Sequence, residues 1–228
     1  MSVDKNWGYN HDFTFHPILG SAPTMTPTDF IFSSPLITFS SLLAGYMILG
    51  GGIKYIDDAF DEKTFNKQMA ILVAPLVAIF WVFMMYVSPA SATILGAIFL
   101  AVALRAKVDN IGFHVGALAI VAGLFFLYLF HLIDFLWIPL IVLTIGGILD
   151  EVGNDYVDAH PKIHRGIYLF FEFRFVMKLV VLLLAIAGVY GFEYFLAFLG
   201  FDIAYASVGL YSDKLKRELK LNYKKVTI

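Results

Sequence analysis

The chain contains no cysteine. Disulfides, thiolate metal ligands and a cysteine nucleophile are therefore excluded. Charge is scarce as well. Only 15% of the 228 residues are Asp, Glu, Lys or Arg, where a soluble domain carries about a quarter. Residues 1–29 lack a basic segment followed by an apolar run, so no cleavable signal peptide is expected. Also missing are a P-loop, a Rossmann fingerprint, a serine-hydrolase elbow and a zincin motif. The net charge is −2, and no nucleic acid is expected as a partner.

What is present is apolar. Hydrophobic residues make up 60% of the chain, and Phe alone numbers 23. This composition places the protein in the membrane class. A bilayer crossing needs about 20 apolar residues. Segment one is expected from Phe30 to Ile56, segment two from Met69 to Val87, and segment three from Ser91 to Leu104. Two segments share the stretch from Ile111 to Leu149, with a break near His131, Asp134 and Pro139. Segment six runs from Gly166 to Val189 and segment seven from Phe192 to Leu210. The expected fold is an all-α, polytopic membrane bundle of about seven transmembrane helices over residues 30–211. An irregular lead-in of 1–29 precedes it, with Trp7, Tyr9, Phe13 and Phe15 at headgroup level. A basic tail of 212–228 follows.

Seven crossings put the termini on opposite sides. Lys54, Lys63, Lys67, Arg105, Lys107, Lys162, Arg165 and the tail lysines then fall on one side. The turns near Ser88, His131 and Tyr190 fall on the other and carry almost no basic residues. The positive-inside rule makes the first side cytoplasmic. The expectation is a multi-pass cell-membrane protein with its amino terminus outside and its carboxyl terminus in the cytoplasm.

Two acidic clusters share that cytoplasmic side. One is Asp57, Asp58, Asp61 and Glu62; the other is Asp150, Glu151, Asp155 and Asp158. On a helix, residues four apart share a face. Asp57 and Asp61 are so spaced, as are Glu151 and Asp155, and Asp150, Asn154 and Asp158 follow the same step. Like charges at this spacing repel unless a cation lies between them. Carboxylates beside lipid are costly, which favours a use for them. Mg²⁺ suits oxygen ligands and joins carboxylates to substrate phosphates. The candidate metal ligands are Asp57, Asp58, Asp61, Asp150, Asp155 and Asp158. Solvated loop carboxylates paired with basic neighbours are the other reading.

Basic residues lie close by. Arg105 and Lys107, in a loop with Asp109 and Asn110, could neutralise phosphate oxygens or could simply anchor the loop. Segment six carries Glu172, Arg174 and Lys178 within an apolar stretch. These could meet an anionic headgroup, or pair with Glu193 and Asp202 of segment seven. Arg105, Lys107 and Arg174 are the candidate catalytic residues; Lys54, Asn154 and Lys178 are the candidate substrate-binding residues. His160 and His164 could join Asp158 at a transition metal, although Pro161 between them favours a loop or helix start. Ala44, Gly45, Gly50, Gly51 and Gly52 form a run of small residues along segment one. Close helix packing is its default use, and room for a lipid chain is the alternative.

This layout resembles the UbiA superfamily of intramembrane prenyltransferases. Asp57, Asp58 and Asp61 correspond to the family's first aspartate-rich motif, and Asp150, Asn154 and Asp158 to its second. Four hydrophobic segments separate the two, and the Arg105–Lys107 loop falls where the family places a basic loop. The chain has fewer segments than is usual there, Lys54 or Ile53 near the motif's opening asparagine, and Asn154 for an aspartate. The resemblance implies a helical bundle that holds Mg²⁺ and a prenyl diphosphate at a cytoplasmic rim, with the prenyl chain in an apolar cavity. It also implies prenyl transfer to an acceptor that the sequence does not identify. Membrane lipid surrounds such a protein, and its oligomeric state is not legible. Two rival classes remain. One is a cation transporter or channel whose path includes Asp134, Glu172, Glu193 and Asp202; the other is a non-catalytic membrane subunit. An apolar cavity beneath an acidic rim would favour the enzyme, and a polar path to the other face would favour the transporter.

Overall fold

A computed structural model of the chain describes residues 35–105, 110–160 and 162–226, with side chains placed for 38–105, 110–160 and 162–219. The aromatic lead-in of 1–29 lies outside the described residues, as do Lys107 and Asp109. Among the described residues the fold is all-helical. In chain order the helices are α1 (Pro35–Phe60), α2 (Lys67–Val87), α3 (Pro89–Leu104) and α4 (Ile111–Leu129). They are followed by α5 (Trp137–Ala159), α6 (Arg165–Glu172), α7 (Phe175–Ile186) and α8 (Phe192–Val226). Five of these, α1, α2, α4, α5 and α8, contain stretches long and apolar enough to cross a membrane. The apolar helices α3 and α7 are shorter.

Local chemistry sets the helix starts. The side chain of Asn66 accepts the amides of Gln68 and Met69, that of Ser88 accepts Ser91, and that of Asn110 accepts Phe113. Each satisfies a backbone donor that the first helical turn leaves unpaired. Pro89 occupies the first turn of α3 and Pro139 the first turn of α5, where a missing N–H costs nothing. The expected break falls at His131 and Asp134, in the turn between Phe130 and Leu136, and Pro139 already belongs to the helix that follows.

α1 packs along α8 more extensively than any other pair of helices meets. Neighbour contacts then run α1–α2–α3–α5–α7–α8 and back to α1, closing a ring, while α4 leans on α2 and one end of α1. A Cβ on Gly50 would fall 2.1 Å from the carbonyl oxygen of Phe201. Only glycine allows α1 and α8 to come this close, so this part of the small-residue run serves packing. The two shortest spans of apolar sequence differ in setting. α3 is buried continuously from Ala90 to Ala97. Buried Thr93 uses its hydroxyl to accept the Leu136 amide at 2.9 Å, just ahead of α5.

The outer surface is apolar. Leu72, Leu76 and Ile79 on α2, Leu118 and Phe125 on α4, and Ile138 and Ile141 on α5 all stand exposed. Burying each such side chain is worth about 1.5–3 kcal/mol in water, so a belt of this extent suits lipid contact and not solvent.

Two expected segments change. Segment six is not one helix. It breaks at Phe173–Arg174, where Arg174 adopts a left-handed backbone (φ 50°, ψ 53°). That conformation is unfavourable for a residue with a side chain, and contacts with α5 compensate it, as described below. Segment seven does not stop at Leu210. α8 continues to Val226, so the tail expected at 212–228 begins as a helical extension.

Candidate functional site

A cavity of about 340 Å³ lies inside the end of the bundle where α1, α3 and α5 finish and α2 and α4 begin. Its polar wall is made by Asp57 and Asp61 from α1 and the turn after it, Glu151 and Asn154 from α5, Arg174 from the α6–α7 break, and Tyr205 from α8. Its apolar wall descends through Val77, Ala78 and Trp81 on α2, Ile98 on α3, Ile120 on α4 and Phe201 on α8. Gly112 and Gly116 keep the α4 wall low. A Cβ on Gly112 would lie 2.8 Å from the Phe60 ring and 2.9 Å from Ile56, so the start of α4 can rest directly against α1.

The two acidic clusters thus reach one cavity, although they are nearly a hundred residues apart in sequence. Each does so with one helical face only. In the first cluster Asp57 and Asp61 line the cavity, while Asp58 is buried behind them. Lys54 binds both neighbours, at 2.9 Å to Asp57 and 3.0 Å to Asp58. The Glu62 carboxylate pairs with Lys216 of α8. Lys54 is not among the side chains that line the cavity; it holds the cluster's charge from behind.

The second cluster is divided more sharply. Asp150 is 1% exposed, and its two oxygens accept the amides of Val176 and Met177 at 2.9 and 2.7 Å. It therefore caps the amino-terminal end of α7 from a neighbouring helix. This is a different role from the metal ligand expected of it. Glu151 pairs with Arg174 at 3.0 Å, directly beside that cap. Together they hold Arg174 in its left-handed conformation and fix the break. Asp155 pairs with Arg105 at 2.8 Å, and Asp158 is exposed and accepts a hydrogen bond from Asn154 at 3.3 Å. None of Arg105, Asp155 and Asp158 lines the cavity.

Lys178 pairs with Asp202, and its ammonium also donates to the carbonyl of Phe173. Internal pairing is the use of the segment-six charges that the structure adopts for Lys178 and Arg174, and headgroup contact remains open to Arg174 alone by position. The histidine pair does not assemble. His160 Nδ1 contacts the Tyr156 carbonyl at 2.8 Å, and His164 Nδ1 accepts the Gly166 amide at 3.1 Å, starting α6. Among the described residues, no three His, Asp or Glu side chains form a group that could hold a metal ion by themselves.

Sequence reasoning missed Tyr205. Its ring lies 5.2 Å from Lys54 Nζ and 5.7 Å from the Arg174 guanidinium, and its hydroxyl donates to Asp57 at 3.4 Å. One aromatic side chain thus joins the first cluster to the second. A tyrosine inside an apolar helix carries a hydroxyl that needs a partner. That was the available signal.

No protein-family model matches the chain, and no curated protein or solved structure matches it.

Proposed function

We propose that the protein is an Mg²⁺-dependent intramembrane enzyme that binds an isoprenoid diphosphate and transfers its prenyl chain to an acceptor. The observation that carries this reading is one cavity with carboxylates of both clusters at one end and hydrocarbon at the other. It favours a substrate with a charged head and an apolar tail. A cation path fits less well, because Trp81, Ile98, Ile120 and Phe201 close the deep end with apolar surface. The resemblance to the UbiA superfamily is one of arrangement, and it agrees with this reading.

Among the described residues no three His, Asp or Glu side chains could hold an ion by themselves, so an ion here would need substrate phosphates to complete its ligands. Asp57, Asp61, Glu151 and Asn154 offer oxygen ligands, and Mg²⁺ is commonly held by one or two carboxylates together with substrate phosphates rather than by an all-protein cage. Bound there, the ion would neutralise charge on the diphosphate as it leaves. The chain's own charges are arranged in ion pairs, Asp57 with Lys54 and Glu151 with Arg174. A metal diphosphate would offer Asp57, Glu151 and Arg174, the members that line the cavity, partners of opposite sign. Arg174, already at the cavity wall, would take phosphate oxygens, and Asp57, Asp61 and Glu151 would be the residues to hold the ion. Tyr205, packed between Lys54 and Arg174, keeps the two cations apart and in place. The apolar wall excludes water from the allylic carbon. The C–O bond then breaks with its electrons on the diphosphate, and the acceptor forms the new bond and loses a proton.

In the bilayer, α6 and α7 make one broken crossing, so that α1, α2, α3, α4, α5, α6–α7 and α8 cross seven times. The amino terminus is external, and the cavity rim and carboxyl terminus are cytoplasmic. Labelling at Ser88 and at Lys214 from opposite sides of the membrane tests this, and labelling of both from one side would overturn it. Purified protein given a prenyl diphosphate, Mg²⁺ and a lipid acceptor pool should release pyrophosphate, and Asp61→Ala should abolish the release. Binding that is indifferent to Mg²⁺ would remove the basis of the reading.

A further inference from the structure

Asp57 and Glu151 are carried to the cavity by regular helices, and Asp61 is not. α1 ends at Phe60, α2 begins at Lys67, and Asp61 opens the turn between them. Its amide still bonds the Asp57 carbonyl at 3.0 Å, so α1 fixes one side of the residue and the turn fixes the other. The turn does not support itself. Lys63 adopts a left-handed backbone (φ 56°), which is unfavourable for a residue with a side chain. The amide and hydroxyl of Thr64 reach the Asp58 carbonyl at a long 3.4 Å each. Closer contacts come from α8. Thr64 Oγ1 lies 2.6 Å from Ser212 Oγ, and Ser212 is 1% exposed. Glu62 pairs with Lys216. Phe65 packs between Tyr55 of α1 and Tyr211 of α8, with ring centroids 4.7 and 6.3 Å away. Tyr205, Gly209, Ser212 and Lys216 follow steps of four, three and four along α8, so they share one face. That face tracks the first cluster. Tyr205 bonds Asp57, and a Cβ on Gly209 would lie 3.2 Å from Lys54 Cε. One turn further on, Ser212 and Lys216 take hold of Thr64 and Glu62.

From this arrangement we infer that α8 past Leu210 is a positioning element of the site. Ser212 and Lys216 hold the turn through Thr64 and Glu62, and the turn holds Asp61 at the cavity. None of these four residues lines the cavity, so they act on a ligand through Asp61 and are positioning residues. The inference rests on the proposed function for its ligand, and it adds which residues outside the cavity set the affinity. The two fastenings differ in strength. Ser212 is buried, so no water replaces a partner lost there. The Glu62–Lys216 pair is partly exposed on both sides and contributes less.

The test uses the full chain in lipid nanodiscs. The sequence has no cysteine, so Lys63→Cys places one spin label on the turn, at an exposed position. Calorimetry on the unlabelled proteins measures Mg²⁺-dependent binding of a prenyl diphosphate. Thr64→Val keeps the shape and removes the hydroxyl. It should raise the mobility of the label and weaken binding by about three- to tenfold. Ser212→Ala should do the same and Lys216→Gln should do less. Thr64→Ser, which keeps the hydroxyl, should do neither. A double-mutant cycle separates positioning from general support of the fold. In an Asp61→Asn background, Thr64→Val should cost little further affinity, because the group it acts through has already lost its charge. An equal loss in both backgrounds would overturn the inference. So would higher mobility with unchanged affinity, which leaves the proposed function standing. If the wild-type chain binds no diphosphate, the proposed function fails, and the label alone decides the hold of α8 on the turn. Mobility that rises in Thr64→Val and Ser212→Ala then supports that hold, and unchanged mobility overturns it.

Discussion

The acidic clusters of α1 and the end of α5 carry four carboxylates each, at the same helical spacing, yet they are held in different ways. The first is neutralised mostly from its own helix, by Lys54 one turn back from Asp57 and Asp58. The second is anchored to residues far along the chain. Asp150 binds the amides of Val176 and Met177, Glu151 binds Arg174, and Asp155 binds Arg105. The first cluster can therefore form as α1 forms. The second is complete only when α5 has met α7 and the loop after α3. Removing charge from the first should disturb the site and little else, whereas removing it from the second should also loosen the bundle. In the first cluster two of the four carboxylates, Asp57 and Asp61, face the cavity, and in the second only Glu151 does. A count of acidic residues thus overstates the number of ligands available to an ion.

The largest effect should come from Asp150→Ala. It leaves two buried amides at the start of α7 without acceptors, at a cost of about 2–4 kcal/mol. A thermal unfolding midpoint in detergent should fall clearly, and Asp150→Asn, which keeps one acceptor oxygen, should fall less. A midpoint unchanged by Asp150→Ala would erase the contrast between the clusters.

Next come the cavity carboxylates. Asp57→Asn and Glu151→Gln should each weaken Mg²⁺-dependent binding of a prenyl diphosphate by about tenfold or more, equivalent to about 1.4 kcal/mol. Glu151→Gln should also lower stability, because Arg174 loses its partner, and Asp57→Asn should lower it less. Asp134→Asn, an exposed position in the turn at the far end, serves as the control. If Asp134→Asn weakens binding as much as the others, the site does not lie at the rim.

The smallest effect should be that of Asp155→Asn. Its pair with Arg105 is partly exposed on both sides, and such pairs contribute up to about 1 kcal/mol. Raising the salt concentration should shrink even that difference. A loss comparable to that of Asp150→Ala would show the outer loop to be a main support of the second cluster.

By itself the sequence determined the membrane class, the order of the apolar segments and the end of the bundle to which both clusters belong. These follow from composition, segment length and helical spacing, all of which are local and additive along the chain. The starts at Asn66, Ser88 and Asn110 were equally local, since each cap bonds an amide within three residues. Tertiary structure alone decided which carboxylates face the cavity. Asp57 and Asp58 are adjacent in sequence, as are Asp150 and Glu151, and only the neighbouring helices distinguish the lining residue from the buried one. The break at Arg174 was hidden for the same reason, because its stabilising partners lie on α5 and no proline or glycine marks it. Tyr205 was hidden because its role depends on Lys54 and Arg174 arriving from two other helices. The deep end of the cavity was decided last of all, by Trp81 meeting Phe201. Neither residue's identity discloses that contact, since close packing is a property of the assembled bundle.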